Sequence, residues 1–128
     1  MVLLDTSIWI DHLRQSNPEV VSLLENRHVL THSFVLGELA MGTLAGRNAL
    51  LSNLARLPRA IIATDIEVMT MVEKHKLFGL GIGWVDAHVL AGTLLTLGAK
   101  LWTKDKKLLA IAGDSRFSVA YRAATPSR

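Results

Sequence analysis

Cysteine is absent from this chain of 128 residues. Its absence excludes disulfide bonds, thiolate nucleophiles and metal sites built on sulfur, so any metal must bind through oxygen or imidazole. Hydrophobic runs long enough to cross a membrane are also missing, because none approaches the roughly 20 apolar residues that a bilayer span needs. The start of the chain lacks the basic segment of a secretory signal. We therefore expect a soluble, cytoplasmic protein with no membrane partner.

The length and composition fit one compact unit. Half of the residues are hydrophobic, which is enough for a chain of this size to bury most of its unfolded surface in one core. We expect a single domain over residues 1–128, with a loose tail at 125–128. Fourteen basic residues against eleven acidic ones give a net charge of +3. This balance favours a polyanionic partner, although many unrelated proteins are equally basic.

Short apolar runs alternate with longer amphipathic ones along the chain. This alternation predicts an α/β protein in which helices pack on a central, mostly parallel sheet. The predicted strands are residues 2–4, 29–31, 60–63, 101–102 and, as an edge strand, 118–120. The predicted helices are residues 7–14, 17–25, 33–42, 47–57, 65–76, 85–97 and 104–112. The spacing of Thr64 and Glu67 is that of a capping box.

Two acidic residues follow predicted strands at the point where each strand ends. Asp5 comes directly after the first strand, and Asp105 comes shortly after the strand at 101–102. Ligands of open parallel sheets bind beyond the carboxyl ends of the strands, where the loops turn toward one crevice. We therefore expect both carboxylates at the same edge of the sheet.

Two further acids interrupt apolar helix faces. Asp86 shares a face with Val89, Leu90, Thr93 and Leu97, which predicts that its side chain points inward. Glu38 falls in line with Phe34 and Met41, between Gly37 and Gly42, whose small size would allow close packing. We expect Glu38 to be half buried.

Buried carboxylates without a cationic partner are unfavourable unless they bind metal. No lysine or arginine lies on either of the two helix faces, so a divalent cation is the simplest compensation. Hard oxygen ligands favour Mg²⁺ or Mn²⁺, and such ions promote hydrolysis of phosphodiesters. The hydroxyls of Thr6, Ser7 and Thr103 lie beside the strand-end acids and either orient ligands and water or cap helices.

Basic and aromatic residues offer contacts to a nucleic acid. Lys104, Lys106 and Lys107 flank Asp105 and are possible contacts to RNA phosphates, with a solvated helix face as the equal alternative. Trp84 is a candidate for stacking on an unpaired base, whereas the other two tryptophans are expected in the core. His88 is expected to pack or to support the acids rather than to act in acid-base catalysis.

In four stretches this sequence resembles the PIN-domain family, and within it the VapC-type toxins of toxin–antitoxin pairs. The stretches are Asp5-Thr6-Ser7, Glu38-Leu39-Ala40, Asp86-Ala87-His88 and Thr103-Lys104-Asp105, in that order. One departure is Leu108, where relatives often have an aromatic residue.

The resemblance implies a three-layer α/β/α sandwich and an endoribonuclease that uses Mg²⁺ or Mn²⁺. By position, Asp5, Glu38, Asp86 and Asp105 would be the catalytic, metal-binding acids. The implied partners are an RNA substrate, a cognate VapB-type antitoxin and a second copy of the chain in a homodimer.

Three alternatives remain open on the sequence alone. An aspartyl-phosphate phosphatase would use Asp5 as nucleophile, but that chemistry needs a second acid at position 7, which is serine. A phospho-acceptor module would use Asp65 with Lys104, but an early acidic pair is missing. A catalytically silent scaffold that binds RNA or antitoxin shares every feature except turnover.

Overall fold

The centre of the fold is a sheet of three parallel strands drawn from distant parts of the chain. A computed structural model describes residues 1–124. β1 (Val2–Leu4) lies between β2 (Val29–Leu30) and β3 (Lys100–Trp102). Every residue of the three strands is buried except Lys100, the first residue of β3. This is the pattern of a parallel sheet that is covered on both faces. The predicted parallel sheet is confirmed.

Seven helices cover the sheet in the part of the chain that the structure describes. Each predicted helix is present, with ends that agree to within two residues. Together they complete the three-layer α/β/α sandwich. No helix among them combines the length and apolarity needed to cross a bilayer. The helices are α1 (Thr6–Arg14), α2 (Pro18–Glu25), α3 (Ser33–Met41), α4 (Arg47–Ala55), α5 (Asp65–His75), α6 (Trp84–Leu95) and α7 (Lys106–Gly113).

Local capping explains several helix starts. Asn17 Oδ1 accepts a hydrogen bond from Glu19 N at 2.9 Å, just before the helix that opens with proline. At α5, Thr64 Oγ1 accepts from Glu67 N at 3.1 Å, and Glu67 Oε1 accepts from Thr64 N at 2.9 Å. This reciprocal pair satisfies two backbone donors that the helix itself leaves unpaired, as the sequence predicted.

The predicted strand at residues 60–63 is wrong. Pairing with the sheet there is limited to one bridge between Thr31 and Arg59. Beyond it, Ile61 N donates to the side chain of Thr96 at 2.9 Å instead of to a neighbouring strand. Ile61 and Ile62 are about half exposed. Ala60 N still donates to the carbonyl of Thr31 at 2.8 Å, and after it the segment bonds to the end of α6 instead of continuing along β2.

The predicted edge strand at residues 118–120 is also wrong as a strand. Ala120 forms a single parallel bridge with Leu101. Ser118 has a φ of 50°, a left-handed conformation that interrupts extended backbone. The tail predicted at 125–128 lies outside the described residues.

The core is one large cluster of buried apolar side chains, with a smaller one between α5 and α6. Leu3 and Leu4 of the central strand, Val35 of α3 and Leu90 of α6 are fully buried. Leu97, which was predicted on the buried face of α6, is fully exposed. The reason is that α6 ends at Leu95, so Leu97 no longer follows the helical spacing.

Gly92 marks the closest approach between α6 and its surroundings. A Cβ atom at this position would lie 2.6 Å from the carbonyl oxygen of Ile61 and 3.0 Å from the ring of His32. Backbone cannot yield as a flexible side chain does, so we expect Gly92→Ala to lower the free energy of unfolding by about 1–3 kcal/mol. Urea denaturation checks this.

The control is Gly37→Ala in α3, because a Cβ at Gly37 would meet nothing within 4 Å. That change should stabilise the protein by roughly 0.5–1 kcal/mol through helix propensity. Equal stability of the two variants would contradict the packing described here. The open space at Gly37 also shows that the expected close packing around Glu38 does not occur on that side.

Candidate active site

Asp5 and the end of β3 are joined by a short chain of hydrogen bonds. Asp5 N donates to the carbonyl of Trp102 at 3.1 Å, which continues the pairing of the two strands. Ser7 Oγ donates to Asp5 Oδ1 at 2.5 Å and accepts from Lys104 N at 3.1 Å. The Ser7 hydroxyl therefore connects the two strand ends that the sequence predicted to meet, one residue before Asp105.

Asp5 is also the N-cap of α1. Its Oδ1 accepts from Ile8 N at 3.3 Å. The side chain is only 8% exposed, and no lysine or arginine of the described residues pairs with it. A carboxylate in this position caps a helix and remains available at the sheet edge.

Thr6 holds the acid on the neighbouring helix. Its Oγ1 donates to Glu38 Oε1 at 2.6 Å, which links α1 to α3 across 32 positions of sequence. Glu38 is exposed, so the prediction that it is half buried is wrong. The apolar contacts of α3 are made by Val35 and Leu39, and Glu38 lies beside that face rather than on it.

Asp86 lies in the first turn of α6 and is half buried. Its Oδ2 accepts from Gly83 N at 3.4 Å, a long bond from the residue that caps the helix. The prediction that the side chain of Asp86 points inward is thus confirmed only in part. The buried stretch of α6 runs from Ala87 to Thr93 and begins one residue after Asp86.

Asp105 caps α7 in the same way that Asp5 caps α1. Asp105 Oδ1 accepts from Lys107 N and Leu108 N, both at 2.9 Å. Thr103 is buried, and its Oγ1 accepts from Asp105 N at 3.1 Å. The buried hydroxyl fixes the turn that carries the acid, while Asp105 itself is exposed.

Burial raises the pKa of Asp5 above the ordinary carboxyl value of 3.8. Hydrogen bonds from the hydroxyls of Ser7 and Thr103 and from the backbone at Ser7 and Ile8 favour the ionised form, but they do not outweigh the loss of solvation. An ionised Asp5 is therefore less stable in the folded chain than in water, and a bound cation would remove that disadvantage.

The pKa of Asp86 is raised first by burial and then by two nearby negative charges, Asp105 and Glu38. The hydrogen bond from Gly83 N opposes these effects. Like charges influence one another in this way only over short distances. The structure thus brings carboxylates of α3, α6 and the β3–α7 turn into one neighbourhood, with Asp5 joined to it through Thr6 and Ser7.

The donor set fits a hard divalent cation. Glu38, Asp86 and Asp105 each use one carboxylate oxygen in a hydrogen bond, and within residues 1–124 their second oxygens accept none. As they stand, no three acidic or histidine side chains in this range converge on a single point. Side-chain rotation would be needed to coordinate an ion, and the role of the four acids as metal ligands stays a prediction.

The three lysines flanking Asp105 have different surroundings. Lys104 Nζ pairs with Asp11 Oδ2 at 2.8 Å, so this lysine is turned toward α1. Lys106 is exposed. Lys107 lies against Gly81, since a Cβ at that glycine would be 2.7 Å from Lys107 Nζ. Their contacts with RNA stay predictions.

Sequence reasoning missed the pair formed by His88 and Asp65. His88 is buried, with Nε2 3.2 Å from Asp65 Oδ1, and its ring packs against Phe34 and Trp84. Asp65 was interpreted as a residue of the first helical turn and, in one alternative, as a phospho-acceptor, but not as a partner of His88. The repeat of apolar residues in α6 carries no signal for a partner on α5, so this contact was not readable from spacing.

Comparison with known proteins agrees with this architecture. Residues 2–114 match the sequence profile of the PIN domain. The chain therefore belongs to the PIN domain family.

Within that family it is similar to Ribonuclease VapC32 of Mycobacterium tuberculosis, found in two strains. Each relative is 40% identical over 120 residues, which covers 94% of this chain and 97% of the relative. The chain is thus a PIN domain of the VapC type, and the resemblance seen in its motifs is confirmed.

Proposed function

We propose that this protein is an endoribonuclease, dependent on Mg²⁺ or Mn²⁺, that acts as the toxin of a VapBC-type toxin–antitoxin pair. The observation that carries the proposal is the grouping of Asp86, Asp105 and Glu38 beside the buried Asp5 at the carboxyl ends of the strands, and the raised pKa of Asp86 is consistent with it. Mutually repelling carboxylates at a sheet edge are typical of a site that binds cations. Similarity over nearly the whole chain to proteins named ribonucleases supports the reaction.

Four acids would hold the cation in this proposal: Asp5, Glu38, Asp86 and Asp105. The bound ion supplies Lewis-acid chemistry for hydrolysis of an RNA phosphodiester. The chain's own hydroxyls orient these ligands. Ser7 fixes Asp5, Thr6 fixes Glu38, and Thr103 holds the backbone of Asp105.

The proposed partners follow from the same family membership. They are an RNA substrate, a VapB-type antitoxin and a second copy of the chain in a homodimer. The excess of basic over acidic residues supports a polyanionic substrate, because phosphate contacts supply much of the affinity for nucleic acid. We place this activity in the cytoplasm and in one domain of residues 1–128.

Cleavage of a mixed RNA pool with Mg²⁺, with Mn²⁺ and with EDTA tests the proposal. Wild type should cut only with metal. Glu38→Gln should lower the rate by at least about tenfold, since it weakens a ligand on an exposed surface without disturbing the core. The matched control is Glu25→Gln, which changes an exposed acid at the end of α2 that is not one of the four proposed ligands and should cut like wild type.

Two results would count against the enzyme. Cleavage that persists in EDTA, or that is equal in both variants, would indicate a contaminating nuclease. RNA binding without cleavage under any metal would favour the silent scaffold, in which the acids serve recognition rather than catalysis.

A further inference from the structure

A small apolar cleft lies between α5 and the start of α6. It has a volume of about 160 Å³ and is lined by Met69, Val72, Phe78, Ile82, Trp84 and Ala87 among others. Sites for drug-sized ligands are typically at least twice as large. A cleft of this size has room for one ring system rather than a larger molecule.

Two of the lining residues are aromatic and exposed. Phe78 is 57% exposed and Trp84 is 45% exposed, although large aromatic side chains usually lie in the core. The other two tryptophans, Trp9 and Trp102, are 2% and 4% exposed. Trp84 is therefore the one tryptophan that packing of the core does not explain.

The indole of Trp84 rests on a fixed support. Its ring meets that of His88 edge to face, with centroids 4.8 Å apart. His88 is buried and pairs with Asp65. An aromatic side chain held in this way loses little conformational entropy when a flat ligand binds to it.

The cleft borders directly on the carboxylate cluster. Gly83 lines the cleft, and its N–H is the donor to Asp86. Trp84 lies only two residues before Asp86. A ligand in the cleft would thus be a close neighbour of a group bound at the acids.

A positive charge lies on the same rim. Lys107 packs against Gly81, in the loop that leads to the cleft, and its own N–H donates to Asp105 at 2.9 Å. No acidic side chain of the described residues pairs with Lys107. Its ammonium group therefore remains available to an anion beside both the cleft and the acids.

We propose that this cleft binds one unpaired base of the RNA substrate, with the base stacked on Trp84 and an adjacent phosphate held by Lys107. The proposal deepens the ribonuclease function and rests on it for the identity of the substrate. Each part of the region suits one part of a nucleotide. The apolar aromatic surface suits the base, the ammonium group of Lys107 suits the phosphate, and the cluster of carboxylates suits the phosphodiester whose hydrolysis needs a metal. Stacking needs an unstacked base, so the cleft selects single strands.

Binding of a short oligouridine in EDTA, where the proposed metal-dependent enzyme cannot cleave it, tests the proposal with wild-type protein. Trp84→Ala should weaken binding by about 5- to 150-fold, the range typical of one stacked base. Trp84→Tyr should retain most of the affinity. The matched control, Leu97→Ala, removes a fully exposed apolar side chain elsewhere and should leave affinity unchanged.

Two further readouts separate stacking from damage to the fold. Phe78→Ala removes the second exposed aromatic residue and should also weaken binding, with an unchanged circular dichroism spectrum. Lys107→Gln should lower the slope of log affinity against log salt by about one. A blunt-ended RNA duplex should bind wild type, Trp84→Ala and Phe78→Ala alike, because all of its bases are paired.

Several outcomes would overturn the proposal. Wild-type affinity in Trp84→Ala is one of them. A second such outcome is that Trp84→Ala converts a dimer to a monomer while RNA binding per chain is unaltered. That result would mean that the cleft is an interface between two copies of the chain. If the wild-type protein cleaves RNA and Trp84→Ala does not change RNA binding, only the proposed base site is contradicted. If RNA binding depends on Trp84 but no cleavage is seen, only the proposed enzyme activity is contradicted.

Discussion

Asp5→Asn is expected to lower RNA cleavage by well over the roughly 10- to 100-fold that is typical when a residue supporting a metal ligand is changed. Asparagine keeps the shape, the Oδ1 acceptor for Ser7 and the helix cap at Ile8. It removes only the negative charge. The rate of cleavage at saturating Mn²⁺ measures the effect, and a rate equal to wild type would contradict the assignment of Asp5.

The same substitution should stabilise the metal-free protein. Asp5 is buried without a cationic partner, and burial raises its pKa above the ordinary value of 3.8. The uncharged form therefore contributes stability that is complete below pH 3.8 and is lost as the pH rises through the raised pKa of the folded state. Asparagine cannot ionise, so Asp5→Asn should melt at a higher temperature than wild type at pH 7 in EDTA.

A control with the opposite sign is available on the surface. Arg116 beside Asp114 holds the pKa of that carboxyl below its ordinary value. Asp114→Asn should therefore leave the melting temperature at pH 7 unchanged or lower it. If both substitutions moved the melting temperature in the same direction, burial would not be the cause of the effect at Asp5.

The strand ends of the site were predictable from the sequence because they depend on local pattern. Asp5 follows a continuous apolar strand, and Asp105 follows another, so the parallel arrangement places both at one edge. The hydroxyl of Ser7 that joins them was recognised as a neighbour of the acids. Its hydrogen bonds to two separate segments required the register of β1 against β3, which no local pattern contains.

The helix acids were predicted less well. Glu38 was expected to be half buried and is exposed, since the helical repeat places it beside the apolar residues without fixing which edge of that face meets the sheet. The pairing of Thr6 with Glu38 depends on how α1 crosses α3. Crossing geometry is decided by the packing of whole helices.

The two wrong strands have separate explanations. At 60–63, Ala60 N donates to Thr31 beside the bridge of Arg59. Ile61 N then bonds to Thr96 at the end of α6. At 118–120, Ala120 forms one bridge, and the left-handed φ of 50° at Ser118 interrupts extended backbone. A hydrophobicity pattern contains neither a tertiary hydrogen bond nor a backbone dihedral angle.

Mg²⁺ or Mn²⁺ should raise the melting temperature of the wild-type protein. When the ion is present at a hundred times its Kd, the free energy of unfolding should increase by about 2.7 kcal/mol. The physical reason is that Asp86 lies near Asp105 and Glu38, so ionisation of one disfavours ionisation of the others until a cation neutralises them. Asp86→Asn removes one of the repelling charges together with one ligand. It should therefore be more stable than wild type in EDTA and less responsive to metal, so that the two melting temperatures converge as Mn²⁺ is added. A metal shift of the same size in both proteins would place the bound ion elsewhere on the chain, and the carboxylate cluster would then lose its principal support as the catalytic centre.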